Sequence, residues 1–245
     1  MIEKREHYIG GRWVPSQGGQ EHVVIDPSTE EGAVTIVLAS PADVEAAVAA
    51  ARAALPAWSA TAPAERRALV ERILEQYRRR EEDLARAISL EMGAPIDFAR
   101  AEQAPAFSWH LEGFLEAFDR IEWLRPLGPH AKGSMIAMEP IGVVALITPW
   151  NWPANQIALK VIPALLAGCT MVLKPSEQAP LSACVVAEML HEAGCPPGVF
   201  NMIQGDGPAP GPGCRPIPTS RWSPSPDPRG RDGPSPMRRP THSSA

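Results

Sequence analysis

Asn151, Lys174 and Glu177 are the residues of this chain whose types and spacing point to chemistry. An asparagine amide donates hydrogen bonds without titrating, so it can stabilise negative charge developing on an oxygen. Just ahead of a helix, the same side chain can instead cap the free N–H groups. A carboxylate such as Glu177 accepts two hydrogen bonds from adjacent sugar hydroxyls and would repel a phosphate on either of them. Lys174, three residues earlier, can donate to the same or neighbouring oxygens.

The surrounding stretch, residues 140–178, explains how these groups come together: PIGVVALITPWNWPANQIALKVIPALLAGCTMVLKPSEQ. Val143 to Ile147 is apolar and β-branched, the pattern of a strand buried on both faces. Thr148-Pro149 ends it, since proline cannot continue a central strand. A helix opens at Pro153, runs to about Ala167 and is capped by Gly168. Thr170 to Leu173 forms a second buried strand, ending at Lys174-Pro175. A right-handed βαβ unit results, and it presents Asn151 and Lys174 at the carboxyl edge, where open α/β sheets bind ligands. A helix over Leu181 to Glu192, stopped at Gly194, and a strand over Val199 to Ile203 continue the alternation. The predicted fold is α/β, an incomplete doubly wound parallel sheet.

PWNWP and LKPSEQAPL resemble the oxyanion-hole and adenosine-binding segments of the aldehyde dehydrogenase superfamily. YIGGRW followed by DPSTEE resembles its N-terminal segment, and the likeness covers about residues 8–208. The resemblance implies the N-terminal, Rossmann-like cofactor-binding half of such an enzyme. It implies Asn151 as the oxyanion donor, and Thr148, Pro149, Trp150, Lys174, Glu177, Gly205 and Gly207 at the cofactor cleft. Glu177 favours NAD over NADP as that cofactor. The substrate would be an aldehyde, oxidised to an acid through a cysteine thiohemiacetal. A CoA-acylating relative shares much of the fold. The absent GxGxxG fingerprint argues against an ordinary Rossmann dehydrogenase, not against this family.

Composition narrows the alternatives. The chain has 245 residues, 44% hydrophobic, with net charge −5, which gives no reason to expect nucleic acid or an anionic membrane as partner. No apolar run approaches a membrane span and no signal-peptide core opens the chain, so the expected compartment is the cytoplasm. Cys169, Cys184, Cys195 and Cys214 form no CxxC pair, none has an activating context, and no metal site is expected.

Four segments follow. Residues 1–125 carry an N-terminal hairpin (His7 to Val14), a strand over Val23 to Ile25 and three helices. The first helix starts at Ser40-Pro41-Ala42-Asp43, with Val44, Val48, Ala51 and Leu55 inward. The second starts near Pro63, buries Leu69, Val70, Ile73, Leu74, Tyr77, Leu84 and Ile88, and stops at Gly93. Its run Arg78 to Asp83 reads as a solvated face. The third spans about Ile96 to Arg120, with Phe98, Phe107, Trp109, Phe114 and Phe118 expected in the core and His110 structural or at the surface. Residues 126–141 resemble the arm that joins subunits in the family's homo-oligomers, and 142–208 form the βαβαβ segment.

Residues 209–245 hold ten prolines, six arginines and six serines, a composition that predicts disorder. They also depart from the family. Yet with suitable synonymous codons, residues 214–228 read one base earlier spell LSAHPDVEMVSFTGS, a family-like sequence. A net one-base loss between about codons 208 and 213 accounts for this. The tail would then be out of frame. The segments carrying the pyrophosphate motif, the general base, the nucleophilic cysteine and the completion of the arm would be missing. The expected result is a polypeptide inactive by itself, at most a weak nucleotide or subunit binder.

Overall fold

A computed structural model describes residues 1–131 and 133–206. Gly207 and the proline-rich stretch 209–245 lie outside the described residues. Short strand β1 (Ile2–Lys4) precedes the predicted hairpin, β2 (Glu6–Ile9) and β3 (Arg12–Pro15), which turns at Gly10-Gly11. β4 (Glu21–Asp26) and β5 (Glu31–Val37) follow. β5 runs parallel to β1 and antiparallel to β4, in a small sheet of order β1-β5-β4.

Helix α1 (Pro41–Ser59) starts as its sequence predicts: Ser40 and Asp43 form a reciprocal capping box, with proline in the first turn. Helix α2 (Pro63–Met92) buries the predicted stripe and bends at Arg80, which reaches Glu188 at 2.7 Å. Arg78, Arg79, Glu81, Glu82 and Asp83 are exposed. Gly93 ends α2 at φ +76°, where its N–H bonds Ser89 O. A methyl group there would come within 2.6 Å of Pro27 Cγ. Gly93→Ala is therefore expected to cost about 1–2 kcal/mol, read as a lower thermal midpoint.

The third helix differs from its prediction. It comprises a short α3 (Ile96–Phe98), a π-helical turn (Ala99–Gln103) and α4 (Pro105–Phe118). Pro105 lacks the N–H that a regular helix would use, and Ala104 N–H reaches back to Ala99 O at 2.9 Å. The extra residue moves Phe98 out of phase with the buried face, leaving it 41% exposed with its ring edge toward Trp152. Trp109 lies two residues from Phe107, on the opposite side of α4, and is 53% exposed. Phe107 and Phe118 are buried and Phe114 packs partly against the core, so the aromatic expectation holds for three of five. His110 Nε2 meets Asn155 Oδ1 on the following long helix, a structural tie.

β6 (Leu124–Pro126) and β7 (Met135–Ala137) pair as an antiparallel hairpin within the predicted arm region. Then come β8 (Val143–Ile147), α5 (Pro153–Ala167), β9 (Thr170–Lys174), α6 (Pro180–Glu192) and β10 (Phe200–Met202). β8, β9 and β10 are mutually parallel, β2 adds antiparallel to β10, and the sheet has the order β3-β2-β10-β9-β8. Alternation along β9 sends Val172 into a core with Val44, Ala47 and Ala51 of α1, and Met171 and Leu173 into the larger core of α2, α4, α5 and α6.

One expectation fails here. β8 is not buried on both faces. Among the described residues it is the edge strand of its sheet, paired on one side only, and Ala145 and Ile147 are exposed, Ile147 to 58%. An apolar β-branched run alone cannot distinguish a central strand from an edge awaiting cover. Among the described residues, no helix is long and apolar enough to cross a membrane.

Candidate functional site

Parallel register brings the strand ends together. Ile147 pairs with Lys174, Leu173 pairs with Met202, and Thr148 N–H extends the ladder to Lys174 O at 3.2 Å. Thr148 is thus buried, while Pro149, Trp150 and Asn151 emerge on an exposed bend before α5. The N-cap of α5 is Trp152, and no side chain caps the helix. The capping alternative for Asn151 fails, and its amide stands at the surface beyond the end of β8.

Lys174 is nearly enclosed. Its ammonium donates to Pro175 O at 2.9 Å and to Gly205 O at 2.6 Å, and lies 3.8 Å from a Glu177 carboxylate oxygen. Two backbone carbonyls therefore hold the cation at the joint between the ends of β9 and β10. Glu177 is half-buried beside it, and Gly205 is buried at the same edge. The structure thus gathers Lys174, Glu177 and Gly205 directly, with Asn151 on the neighbouring strand end.

Sequence reasoning missed two buried acids that support this edge. Glu91, near the end of α2, accepts Ser182 N–H at 3.0 Å and Leu181 N–H, filling the place of a cap on α6. Burial pushes its carboxyl up to about 7, against the pull of those hydrogen bonds. The available signal was its phase: Leu84, Ile88 and Glu91 share one helical face. Glu91 also lines an open cavity of about 470 Å³ with Val24, Pro27, Met92, Trp150 and Gln178.

The second acid is Asp43, expected only as a first-turn residue. It is buried and accepts from Ser16 Oγ (2.7 Å), Gln17 N–H (2.9 Å) and Ser40 N–H (2.9 Å). Fully buried His7 places Nε2 3.5 Å from Asp43 Oδ2, without the alignment of a hydrogen bond. Burial pushes the His7 imidazole down despite this carboxylate. Its Nδ1 accepts Gln204 N–H at 3.2 Å, which assigns the ring proton to Nε2. Gln204 O in turn accepts Ala39 N–H at 2.7 Å. The segment leading into Gly205 is held from below by α1 and the N-terminal hairpin.

Among known proteins, the model of the aldehyde dehydrogenase family matches residues 13–212. The chain belongs to the aldehyde dehydrogenase family. It is 45% identical over 212 residues to a 3-succinoylsemialdehyde-pyridine dehydrogenase of a Pseudomonas species, covering 86% of this chain and 44% of that protein. An aldehyde dehydrogenase from Bartonella henselae shares 51% identity and superposes with a TM-score of 0.83, over 84% of this chain and 44% of that one. A mutant aldehyde dehydrogenase C of Pseudomonas syringae, described as a complex with NAD+ and octanal, shares 48% identity at a TM-score of 0.80, over 84% and 41%. The chain spans less than half the length of the relatives it matches.

As a member of this family, the chain is notable for its thiols. Cys169, Cys184 and Cys195 are all buried, and burial pushes Cys184 and Cys195 up to about 12. A thiol so raised supplies almost no thiolate at neutral pH. Cys214 lies outside the described residues. Among the described residues, no group of His, Cys, Asp or Glu is arranged to hold a metal ion.

Proposed function

We propose that this chain is the nucleotide-binding portion of an NAD-linked aldehyde dehydrogenase, half of a Rossmann-like doubly wound sheet, and that it does not oxidise aldehydes by itself. The observation that carries this reading is the convergence of Lys174, Glu177 and Gly205 at the ends of β9 and β10, beside the bend bearing Asn151. NAD, when bound, would accept the hydride. Glu177 would accept hydrogen bonds from its ribose hydroxyls and disfavour the 2′-phosphate of NADP. Lys174 fits beside it as a donor, already anchored by two carbonyls. Thr148, Pro149, Trp150 and Gly205 would line the cleft, and Gly207 would continue it. Asn151 would donate to the carbonyl oxygen as negative charge develops there.

Oxidation also needs a nucleophile and a general base. Neither Cys169, Cys184 nor Cys195 suits the first role, for the reasons of burial just given. The out-of-frame reading of residues 214–228 supports a loss of the remaining machinery through a one-base change in the gene or its reading. The hairpin β6–β7 fits part of a subunit-joining arm. Three buried, unbridged thiols fit the reducing cytoplasm.

Purified protein supplied with NAD and a panel of aldehydes is expected to form no NADH above the rate without protein. Turnover that disappears in Asn151→Ala would refute the inactivity. The coding DNA tests the frame loss separately: bases around codons 214–228 that cannot spell SFTGS in the neighbouring frame would exclude it.

A further inference from the structure

We propose that His7 is a positioning residue for the nucleotide site, its imidazole fixing the Gly205 carbonyl that holds the Lys174 ammonium. The inference rests on the reading of Lys174 and Glu177 as ribose-binding groups. It goes beyond that reading by naming what sets their geometry.

The ladder from β10 to β9 ends at Ile203, whose N–H donates to Leu173 O at 3.0 Å. There the chain leaves the sheet. Tyr8 of β2 pairs with Met202 of β10, so antiparallel register would set Gln204 opposite Glu6. The Gln204 N–H goes instead to the His7 side chain, Nδ1 accepting at 3.2 Å. An imidazole nitrogen takes the place of a strand carbonyl. Gln204 O accepts Ala39 N–H at 2.7 Å, while its side-chain Nε2 meets Cys184 Sγ, a weak acceptor, at 3.3 Å. Gly205 has no side chain to restrict its own dihedrals, so its carbonyl is aimed by how the preceding residue is held. That carbonyl meets Lys174 Nζ at 2.6 Å.

His7 accepts at Nδ1 only with its proton on Nε2. Asp43 Oδ2 lies 3.5 Å from that nitrogen, and both side chains are buried, so the carboxylate favours this tautomer. Ser16, Gln17 and Ser40 hold the carboxylate in turn. An apolar residue in place of His7 could fill the same space, but it would leave the Gln204 N–H without its acceptor.

The test is acetylation of lysines by acetic anhydride in the folded 245-residue protein without ligand, read by mass spectrometry with Lys160 as internal reference. Lys174 in His7→Leu should react about tenfold faster than in the parent, as expected for losing one buried hydrogen bond. His7→Asn, whose Oδ1 can stand where Nδ1 does, should restore the parent rate. A histidine that merely fills space predicts the reverse order, since leucine fills the site better than asparagine. Lys174 labelling unchanged in His7→Leu, or equally fast in both variants, overturns the proposal. So does a nitrogen NMR spectrum of the parent that puts the His7 proton on Nδ1, a measurement that needs no variant to fold. NAD titration of the same three proteins should show binding weakened about tenfold in His7→Leu and kept in His7→Asn. Equal NAD affinity in all three overturns the proposal. A parent that binds no NAD while labelling follows the expected order counts against the nucleotide reading alone and supports the hold of His7 on Lys174.

Discussion

Asp43→Ala is expected to lower the unfolding free energy by about 1–3 kcal/mol, the range for leaving buried hydrogen-bonding groups without their partner. Alanine would strand the Ser16 hydroxyl and the Gln17 and Ser40 N–H groups, all of which now end on one carboxylate. Burial alone would push the Asp43 carboxyl up, but the bonds from Ser16, Gln17 and Ser40 hold it below its ordinary value of 3.8. A depressed carboxylate stabilises the fold above its unfolded pKa, and that contribution fades as pH falls below about 3.8. Urea unfolding at neutral pH should show the full loss, and at strongly acidic pH the gap between parent and variant should narrow, the part due to the stranded donors remaining. Asp43→Asn would keep the shape but turn one acceptor into a donor, so partial recovery is expected. Because His7 and Ala39 tie this network to Gln204, the loosening should extend to the segment that presents Gly205 to Lys174.

Glu91 gives the opposite pH signature. Its carboxyl stands at about 7 in the fold against an ordinary 4.5, so the folded state binds the proton more tightly than the unfolded chain. The stabilisation is complete below 4.5 and is lost as pH rises through 7, a change on the order of 3 kcal/mol. Thermal midpoints should therefore decline across that window, at constant ionic strength. Glu91→Gln removes the titration and sets an amide N–H against a backbone N–H of α6. It should flatten the profile and lower stability by on the order of 1–3 kcal/mol even at low pH. An unchanged slope in Glu91→Gln would show that some other group carries the pH dependence.

The sequence was most legible where punctuation is chemical. Thr148-Pro149, Lys174-Pro175 and Pro196-Pro197-Gly198 mark the strand boundaries, and Ser40, Gly93 and Gly168 mark helix ends at the observed places. The strand ends bearing Lys174 and Gly205 followed from those breaks and the chirality of βαβ units. What escaped was non-local. β1 and β5 hold each other in parallel across a long separation, which no short-range pattern reports. The π-helical turn depends on how Pro105 is accommodated within a continuing helix, and that displaced Phe98. Glu91 and Asp43 were visible as residues, but their partners, Ser182 and Ser16, come from other elements. The edge position of β8 depends on what does not pair with it, and an apolar run carries no sign of that.

The bond from Gln204 to His7 spans 197 residues. At ordinary rates of translation, roughly 5–20 residues per second, Gln204 leaves the ribosome on the order of 10–40 s after His7. Through that interval the β2–β3 hairpin has no sheet to join, since β2 pairs with β10. The N-terminal strands behave as a latch that closes only near the end of the described chain. Everything needed to join β2 to β10 is present once Gln204 has emerged.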